Sequence, residues 1–381
     1  MTAHGLCSRV GRFRTCVITA LYAFALFGTT WSAYDILTTL YASDQSAQTP
    51  PQAASAAAVS LEGPFAHENL AVYVVRGSTS DARAYITLDQ GLTARSVAVR
   101  EKGARAGQDQ AAVNTLEIEN GSDKWLFLQA GDIVKGGKQD RTITTDVLLA
   151  PRSGPQPIEA FCVEHGRWTA SQDGLAFRNN PGIVAGTSLK RAIQSEKSQP
   201  RVWQEVAKAE GQAVKVARAA GELLAADAPL STTGTYNAIA QNKTLSGSRG
   251  AYVEALLPAL RKHKDAIGLA VAINGKVTSA DVYASPALFQ ALSGKLLDSY
   301  ALEALLARET TQQVTPPGKQ QVTAFLSTPA AARAATETVG DSMQRSTRET
   351  REAVMYEYGH LNPPTSAKRG VVVVHQSYLK K

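Results

Sequence analysis

The segment Gly131-Asp-Ile-Val-Lys-Gly-Gly-Lys-Gln-Asp-Arg-Thr-Ile143 decides the fold, because a paired-glycine turn separates two short runs of β-type residues. We interpret it as a β-hairpin in which residues 132–135 run in and residues 139–149 run out. Similar short runs rich in branched and aromatic residues continue on both sides, from about residue 71 to residue 177. They predict a largely antiparallel sheet for the N-terminal half of the chain.

The hydrophobic period changes to that of a helix after Pro200. Residues 202–224 predict a long amphipathic helix, and Ser285-Pro286 predicts the capped start of another. The sequence also predicts a loop over residues 231–250 and a short helix over residues 330–338.

Two further β-hairpins are predicted in the C-terminal half. Residues 268–283 surround the turn dipeptide Asn274-Gly275, and residues 352–358 and 371–378 form a terminal strand pair. Helices and hairpins after a sheet-rich first half indicate the α+β class.

The N-terminus carries an export signal. Three arginines precede the mostly apolar residues 16–33, the order of a signal peptide, and this run is nearly long enough to span a bilayer uncleaved. Residues 1–34 are therefore predicted as a signal peptide or a signal anchor, and residues 35–60 as a disordered linker. The folded domain is predicted over residues 61–381, with a possible subdivision near residue 200. We expect a periplasmic or extracellular protein, with anchoring by residues 16–33 as the alternative.

Charge and cysteine content exclude several kinds of partner. The formal net charge is +7, of which the leader arginines contribute three, and the remaining basic residues are scattered. Nucleic-acid binding is not expected, and membrane contact is expected only through the N-terminal segment. Cys162 is the single cysteine after the leader, so an internal disulfide is excluded. The histidines show no metal-ligand spacing, and no cofactor is expected.

The first hairpin superficially resembles a phosphate-binding loop, but two features of the sequence argue against one. The glycine spacing before Lys138 is one residue too long, and Gln139 stands where a Ser or Thr is required.

On the outgoing strand Gln139 and Arg141 share one face. Lys138 and Arg141 are therefore predicted to flank an anion near the turn, and the alternative is that Asp140 and Arg141 pair with neighbours and fix the turn.

A second motif follows in Cys162-Val-Glu-His-Gly-Arg-Trp168. Arg167 and Trp168 suit stacking on a base or sugar while holding a phosphate, although an arginine-capped core tryptophan is equally consistent with the pattern. A nucleophilic Cys162 is disfavoured, because free cysteine between Phe161 and Val163 is more often a small buried hydrophobe.

Several segments together resemble one family. Five segments are similar to the ARG and rhodanese-phosphatase-superfamily-associated protein domain. They are Gly136-Gly-Lys-Gln-Asp-Arg-Thr142, the second motif, Ala270-Val-Ala-Ile-Asn-Gly-Lys-Val277, Leu297-Asp-Ser-Tyr-Ala-Leu-Glu-Ala-Leu305 and the terminal Val-Val-His. The resemblance covers most of residues 61–378. It implies at most a link to nucleotide or ADP-ribose metabolism and supplies no catalytic residue.

These observations favour an exported binding or accessory module for a small anionic, nucleotide- or ADP-ribose-like ligand or a protein partner. The alternatives are a hydrolase and a structural envelope protein, and an enzyme is the less favoured class. The predicted ligand-binding residues are Lys138, Gln139, Arg141, Arg167 and Trp168. The catalytic candidates, should a hydrolase be correct, are Glu164 or Asp140 as general base assisted by His165. We further expect the two motifs to meet in one pocket.

Overall fold

The structure, a computed structural model, describes residues 59–78, 81–103, 114–172, 174–221, 230–308, 314–361 and 370–381. The predicted leader and almost all of the predicted linker lie outside these ranges. The described residues form helices and sheets that are antiparallel except for one strand pair, and most of the first half is sheet, which confirms the α+β class. Within these ranges no helix is long and apolar enough to cross a membrane.

An eight-stranded antiparallel sheet forms the frame of the molecule. Its strands, in spatial order, are β1 (Ser60–His67), β2 (Leu70–Arg76), β12 (Ala266–Ile273), β13 (Lys276–Tyr283), β17 (Val371–Lys380), β16 (Ala353–Leu361), β15 (Met343–Glu349) and β14 (Ala334–Val339). The hairpin predicted at Asn274-Gly275 joins β12 to β13, and both turn residues have positive φ. The terminal strand pair is also confirmed, as β16 and β17.

Two smaller sheets come from the first half of the chain. The six-stranded sheet has the order β11 (Phe177–Val184), β7 (Asp132–Gly136), β8 (Arg141–Ile143), β10 (Ser153–Cys162), β5 (Thr115–Asn120) and β4 (Val97–Glu101). The three-stranded sheet has the order β3 (Tyr85–Thr87), β6 (Trp125–Leu128) and β9 (Val147–Leu149), with β3 and β6 parallel. The outgoing arm of the first predicted hairpin is thus divided between β8 and β9.

Helices pack on both faces of the large sheet and against the smaller sheets. They are α1 (Leu88–Thr93), α2 (Thr187–Arg191), a π-helix (Ala192–Glu196), α3 (Gln199–Ala219), α4 (Tyr236–Gln241), α5 (Lys243–Lys262), α6 (Pro286–Leu306) and α7 (Lys319–Ala330). Alternation along β2 places Val72 and Val74 in the core with α5 and α6, whereas Tyr73 packs against α7. Ser285 caps α6 as predicted, and this helix also contributes to the core around α3.

Two local predictions are wrong. Residues 231–250 are not one loop, because Thr235 and Asn242 accept backbone hydrogen bonds that cap α4 and α5. Residues 330–338 are not a helix, since α7 ends at Ala330 and residues 334–339 pair with β15 along their whole length. Pairing with a neighbouring strand overrides the local alanine content there.

Candidate functional site

The turn between β7 and β8 requires its two glycines. Gly136 and Gly137 have φ values of +134° and +51°. A Cβ atom on Gly137 would lie 2.3 Å from the Phe177 ring and 2.7 Å from the Glu101 carboxylate. The close approach of these groups brings the turn against β4 and β11.

The anion beside Lys138 and Arg141 is a carboxylate of the protein itself. Arg141 Nη2 lies 3.1 and 3.3 Å from the two Glu101 oxygens, and the Lys138 backbone N–H donates to the same carboxylate at 3.0 Å. The Arg141 and Glu101 side chains are fully buried. Strand alternation does not reveal Glu101 as the partner of Arg141, because the two residues lie 40 positions apart along the chain.

Asp140, Glu164 and Arg167 form a second cluster of hydrogen-bonded charges beside the Arg141–Glu101 pair. Arg167 donates to Glu164 at 2.6 Å, to the Gly136 and Gly137 carbonyl oxygens and, at 3.5 Å, to Asp140. Glu164 also accepts the Asp140 N–H. Burial would raise the pKa of Glu164, but hydrogen bonds led by that of Arg167 outweigh burial and lower the pKa. A carboxylate stabilised in this way is a weak general base.

The structure brings all eight predicted site residues together but exposes few of them. Five are buried, Arg167 is intermediate, and His165 and Trp168 are exposed; the buried five are Lys138, Gln139, Asp140, Arg141 and Glu164. Gln139 donates to the His165 carbonyl oxygen, and the His165 ring meets Trp203 edge-on. Trp168 is 46% exposed, and the Lys138 ammonium and the Arg141 guanidinium lie 5.1 and 5.7 Å from its ring centroid. The charges of this cluster therefore engage mainly one another.

Cys162 is buried beside this cluster. It is the β10 partner of Arg141, and both of its backbone polar groups bond to the Gln199 side chain at 2.8 Å. Burial raises the pKa of the Cys162 thiol more than Arg141 lowers it. Such a thiol is a poor nucleophile and a poor target for modifying reagents.

We expect Cys162 to react with a thiol reagent at least about a hundredfold more slowly in the folded protein than in urea, because access requires an opening of several kcal/mol. The measurement is the rate of reaction with a chromogenic disulfide. It uses a chain in which Cys7 and Cys16 are changed to Ser. Equal rates with and without urea would contradict the buried position.

A second polar assembly crosses the inner face of the large sheet. Five residues occupy successive cross-strand positions from β14 to β13, and we call them the polar row: Glu337, Arg345, Tyr358, His375 and Tyr283. Directly opposed residues share a face of an antiparallel sheet, so these side chains project to the same side.

Residues 187–197, here called the cover segment, lie over the polar row. Lys190 Nζ lies 3.3 Å from Asp281, Gln194 accepts the Tyr358 hydroxyl hydrogen at 2.8 Å, and Lys197 Nζ lies 3.5 Å from Glu337. Ser195 bonds to Tyr356. The middle of the segment is the π-helix, a conformation found frequently at functional sites.

His375, the fourth member of the polar row, lies between two carboxylates. Its Nδ1 is 2.6 Å from Asp146, its Nε2 is 3.2 Å from Asp281, and its ring stacks on Tyr283 with centroids 4.4 Å apart. Burial opposes the charged form, but Asp146 and Asp281 outweigh burial and raise the pKa of His375 to about 9. Both ring nitrogens therefore donate, and the residue is an imidazolium at neutral pH.

Asp281 is the centre of this buried network. Lys190, His375 and the Tyr300 hydroxyl all contact its carboxylate, which is fully buried. Burial would raise the pKa of Asp281, but Lys190 and His375 lower it well below the ordinary value. Two carboxylates and two cations thus neutralise one another inside the domain.

An open cleft of about 630 Å³ adjoins the exposed end of the polar row. The β14–β15 hairpin forms one wall, β9 and β10 form the other, and Asp146 contributes to the lining. Lys102 and Lys197 also line the cleft. Its volume lies within the range of small-molecule sites.

Buried hydrogen-bond donors near this cleft lack acceptors. Arg345 has a side chain only 5% exposed; the Tyr358 hydroxyl interacts with its guanidinium, but its Nε and Nη1 have no hydrogen-bond partner among the described residues. The same holds for Gln194 Nε2. Three cleft-lining residues, Glu337, Val339 and Met343, share the hairpin face of Arg345. Unpaired buried N–H groups are costly, so they mark a place where an acceptor is wanted.

Sequence reasoning missed this assembly, although one signal was present. Asp281 stands between Ala280 and Val282, His375 follows four consecutive valines, and buried charges are rare unless paired. The pairing of β13 with β17 joins residues nearly 100 positions apart, which the sequence does not indicate. Among the described residues, no group of three or more His, Cys, Asp or Glu is arranged to hold a metal ion.

The fold and site define an α+β domain with two buried charge networks and one cleft beside unpaired donors. The family profile of the ARG and Rhodanese-Phosphatase-superfamily-associated Protein domain matches residues 58–376, so the chain belongs to this family. No curated protein and no solved structure matches significantly. The family name records an association with other protein superfamilies and does not name a reaction. The function therefore depends on the chemistry of the site.

Proposed function

We propose that the protein is an exported binding or accessory module for a small anionic ligand of the nucleotide or ADP-ribose kind, and that this ligand occupies the cleft beside the β14–β15 hairpin. The observation that carries the proposal is buried Arg345, whose Nε and Nη1 have no hydrogen-bond partner among the described residues and whose side chain shares a hairpin face with three cleft-lining residues. A guanidinium suits phosphate and carboxylate groups because it offers several donors in one plane.

The contacts favour binding over catalysis. Asp140 and Glu164, the predicted general bases, are buried and already accept several hydrogen bonds. His375 is held between two carboxylates and has no ring nitrogen available for substrate. A binding module requires neither a free base nor a nucleophile.

Trp168 supports a second candidate role, recognition of a partner or a planar ligand group at the surface. Two cations contact its ring, and 46% of the residue remains exposed to solvent as an apolar surface. The two candidate surfaces call for different variants, which makes them separable.

The test is thermal unfolding of the full-length protein with inorganic phosphate, AMP and ADP-ribose. A ligand at one hundred times its Kd should stabilise the protein by about 2.7 kcal/mol. We expect Arg345→Gln to remove this gain. Arg348→Gln removes the same charge from the opposite face of the same strand, so this control variant should retain the gain in stability.

The Trp168→Ala variant decides between the surfaces. Retained stabilisation in this variant supports the cleft. Loss of stabilisation in Trp168→Ala with full retention in Arg345→Gln would contradict the cleft and assign binding to the tryptophan surface. Absence of stabilisation by all three ligands would contradict the proposed ligand class.

A further inference from the structure

Glu337 stands between the cleft and Arg345. Its carboxylate contacts Arg345 Nη2 and lies 3.5 Å from Lys197 Nζ. Glu337 also lines the cleft, and its side chain is 46% exposed. One carboxylate thus lies between the cations of Arg345 and Lys197.

We infer that the Glu337 carboxylate occupies the site of the ligand's anionic group when no ligand is bound, and that a phosphate group of the ligand displaces it from Arg345 and Lys197. This inference rests on the proposed function and identifies the ligand group and the residue with which it competes.

The two partners of the Arg345–Glu337 contact differ in how firmly they are held. Arg345 is buried, and its guanidinium lies 5.6 Å from the Tyr356 ring centroid. Glu337 lies on β14, the edge strand of the large sheet, whose four central residues are exposed. An exposed glutamate can rotate into solvent and regain its hydration, whereas Arg345 stays in place. Displacement therefore moves one side chain and leaves the binding cation fixed.

The number of donors favours phosphate over carboxylate. Glu337 leaves Arg345 Nε and Nη1 without acceptors, and Gln194 Nε2 is unpaired next to Tyr358, the neighbour of Arg345 in the polar row. A phosphate monoester presents three acceptor oxygens and up to two negative charges. It matches Arg345 and Lys197 together, which a single carboxylate satisfies only in part.

The test measures phosphate binding by titration calorimetry on the full-length protein and its variants. Glu337→Gln keeps the shape of the side chain but removes the competing charge, so its Kd for inorganic phosphate should fall about fivefold, the size of a half-exposed ion pair. Asp341→Asn is the matched control, because Asp341 also lines the cleft. It should change the Kd by less than about twofold.

Further arms identify the ligand group and its source. The double variant Glu337→Gln/Arg345→Gln should lose the gain, and acetate should bind less tightly than phosphate at the same pH. Tighter binding of AMP than of inorganic phosphate assigns the phosphate to a nucleotide-like molecule, whereas equal binding assigns it to the free ion; both support the displacement.

Three results would overturn the inference. An unchanged Kd in Glu337→Gln, with wild-type binding still sensitive to Arg345→Gln, contradicts the displacement and leaves the proposed function standing. Equal gains in Glu337→Gln and Asp341→Asn would show a general charge effect. No binding of phosphate or AMP by wild type or Glu337→Gln would remove the inference and the proposed anion site together.

Discussion

Replacement of Asp281 by alanine is expected to lower the free energy of unfolding by about 3–5 kcal/mol, because removing one partner leaves buried charges without compensation. Lys190 and His375 both depend on this carboxylate, and its contact with the Tyr300 hydroxyl would also be lost. The measurement is urea unfolding at pH 7 by circular dichroism, with the midpoint and slope fitted for each variant.

Asp265→Ala is the matched control for this experiment. Asp265 pairs with Arg76 at 2.7 Å, but its side chain is 54% exposed. Surface pairs contribute at most about 1 kcal/mol, so the control should stay close to wild type. Equal losses in the two variants would contradict a central role for Asp281. Asp281→Asn, which keeps the shape, should fall between wild type and Asp281→Ala.

Predictability from sequence depended on whether a signal was local. The Asn274-Gly275 turn and the Ser285 cap were predicted correctly, since a turn and a helix start each depend on a few neighbouring residues. The strand over residues 334–339 was missed because β15 supplies its hydrogen bonds. Strand preference depends more on such neighbours than on the segment itself.

The charged cluster shows where sequence reasoning about a site ends. Arg167 contacts the β7–β8 turn, so the two motifs lie together, whereas the pocket that they were expected to share stays a prediction. The partners of these charges were not predictable, because Glu101, the cap residue Thr235 and Asn237 of α4 come from distant segments. Spacing shows which side chains share a face, but only tertiary structure shows which charges already have partners.

The polar row was also unpredictable from sequence, because it depends on the pairing of five separate strands. Its five members come from five strands, and each owes its place to the register of the strand beside it. A shift of one residue in any register would turn that residue to the opposite face of the sheet. The feature that carries the functional proposal therefore exists only at the level of the assembled sheet.

Stability is expected to fall as the pH rises through 9, because His375 loses the proton that its neighbours stabilise. Its pKa is raised to about 9 in the folded protein, from about 6.5 in an unfolded chain. The stabilisation is fully present below pH 6.5 and disappears as the pH rises through the folded pKa. The difference corresponds to about 3 kcal/mol, which urea unfolding at intervals from pH 6 to pH 10 would measure.

The groups facing His375 do not obscure this titration. Asp146 and Asp281 carry its counter-charges, and burial raises the pKa values of Tyr283 and Tyr358 well above the ordinary value of 10. His375→Gln removes the titrating group, so its stability should be lower at pH 6 and nearly flat up to pH 9. A wild-type curve as flat as that of the variant would contradict a buried imidazolium. A parallel decline in both would assign the pH dependence to another residue.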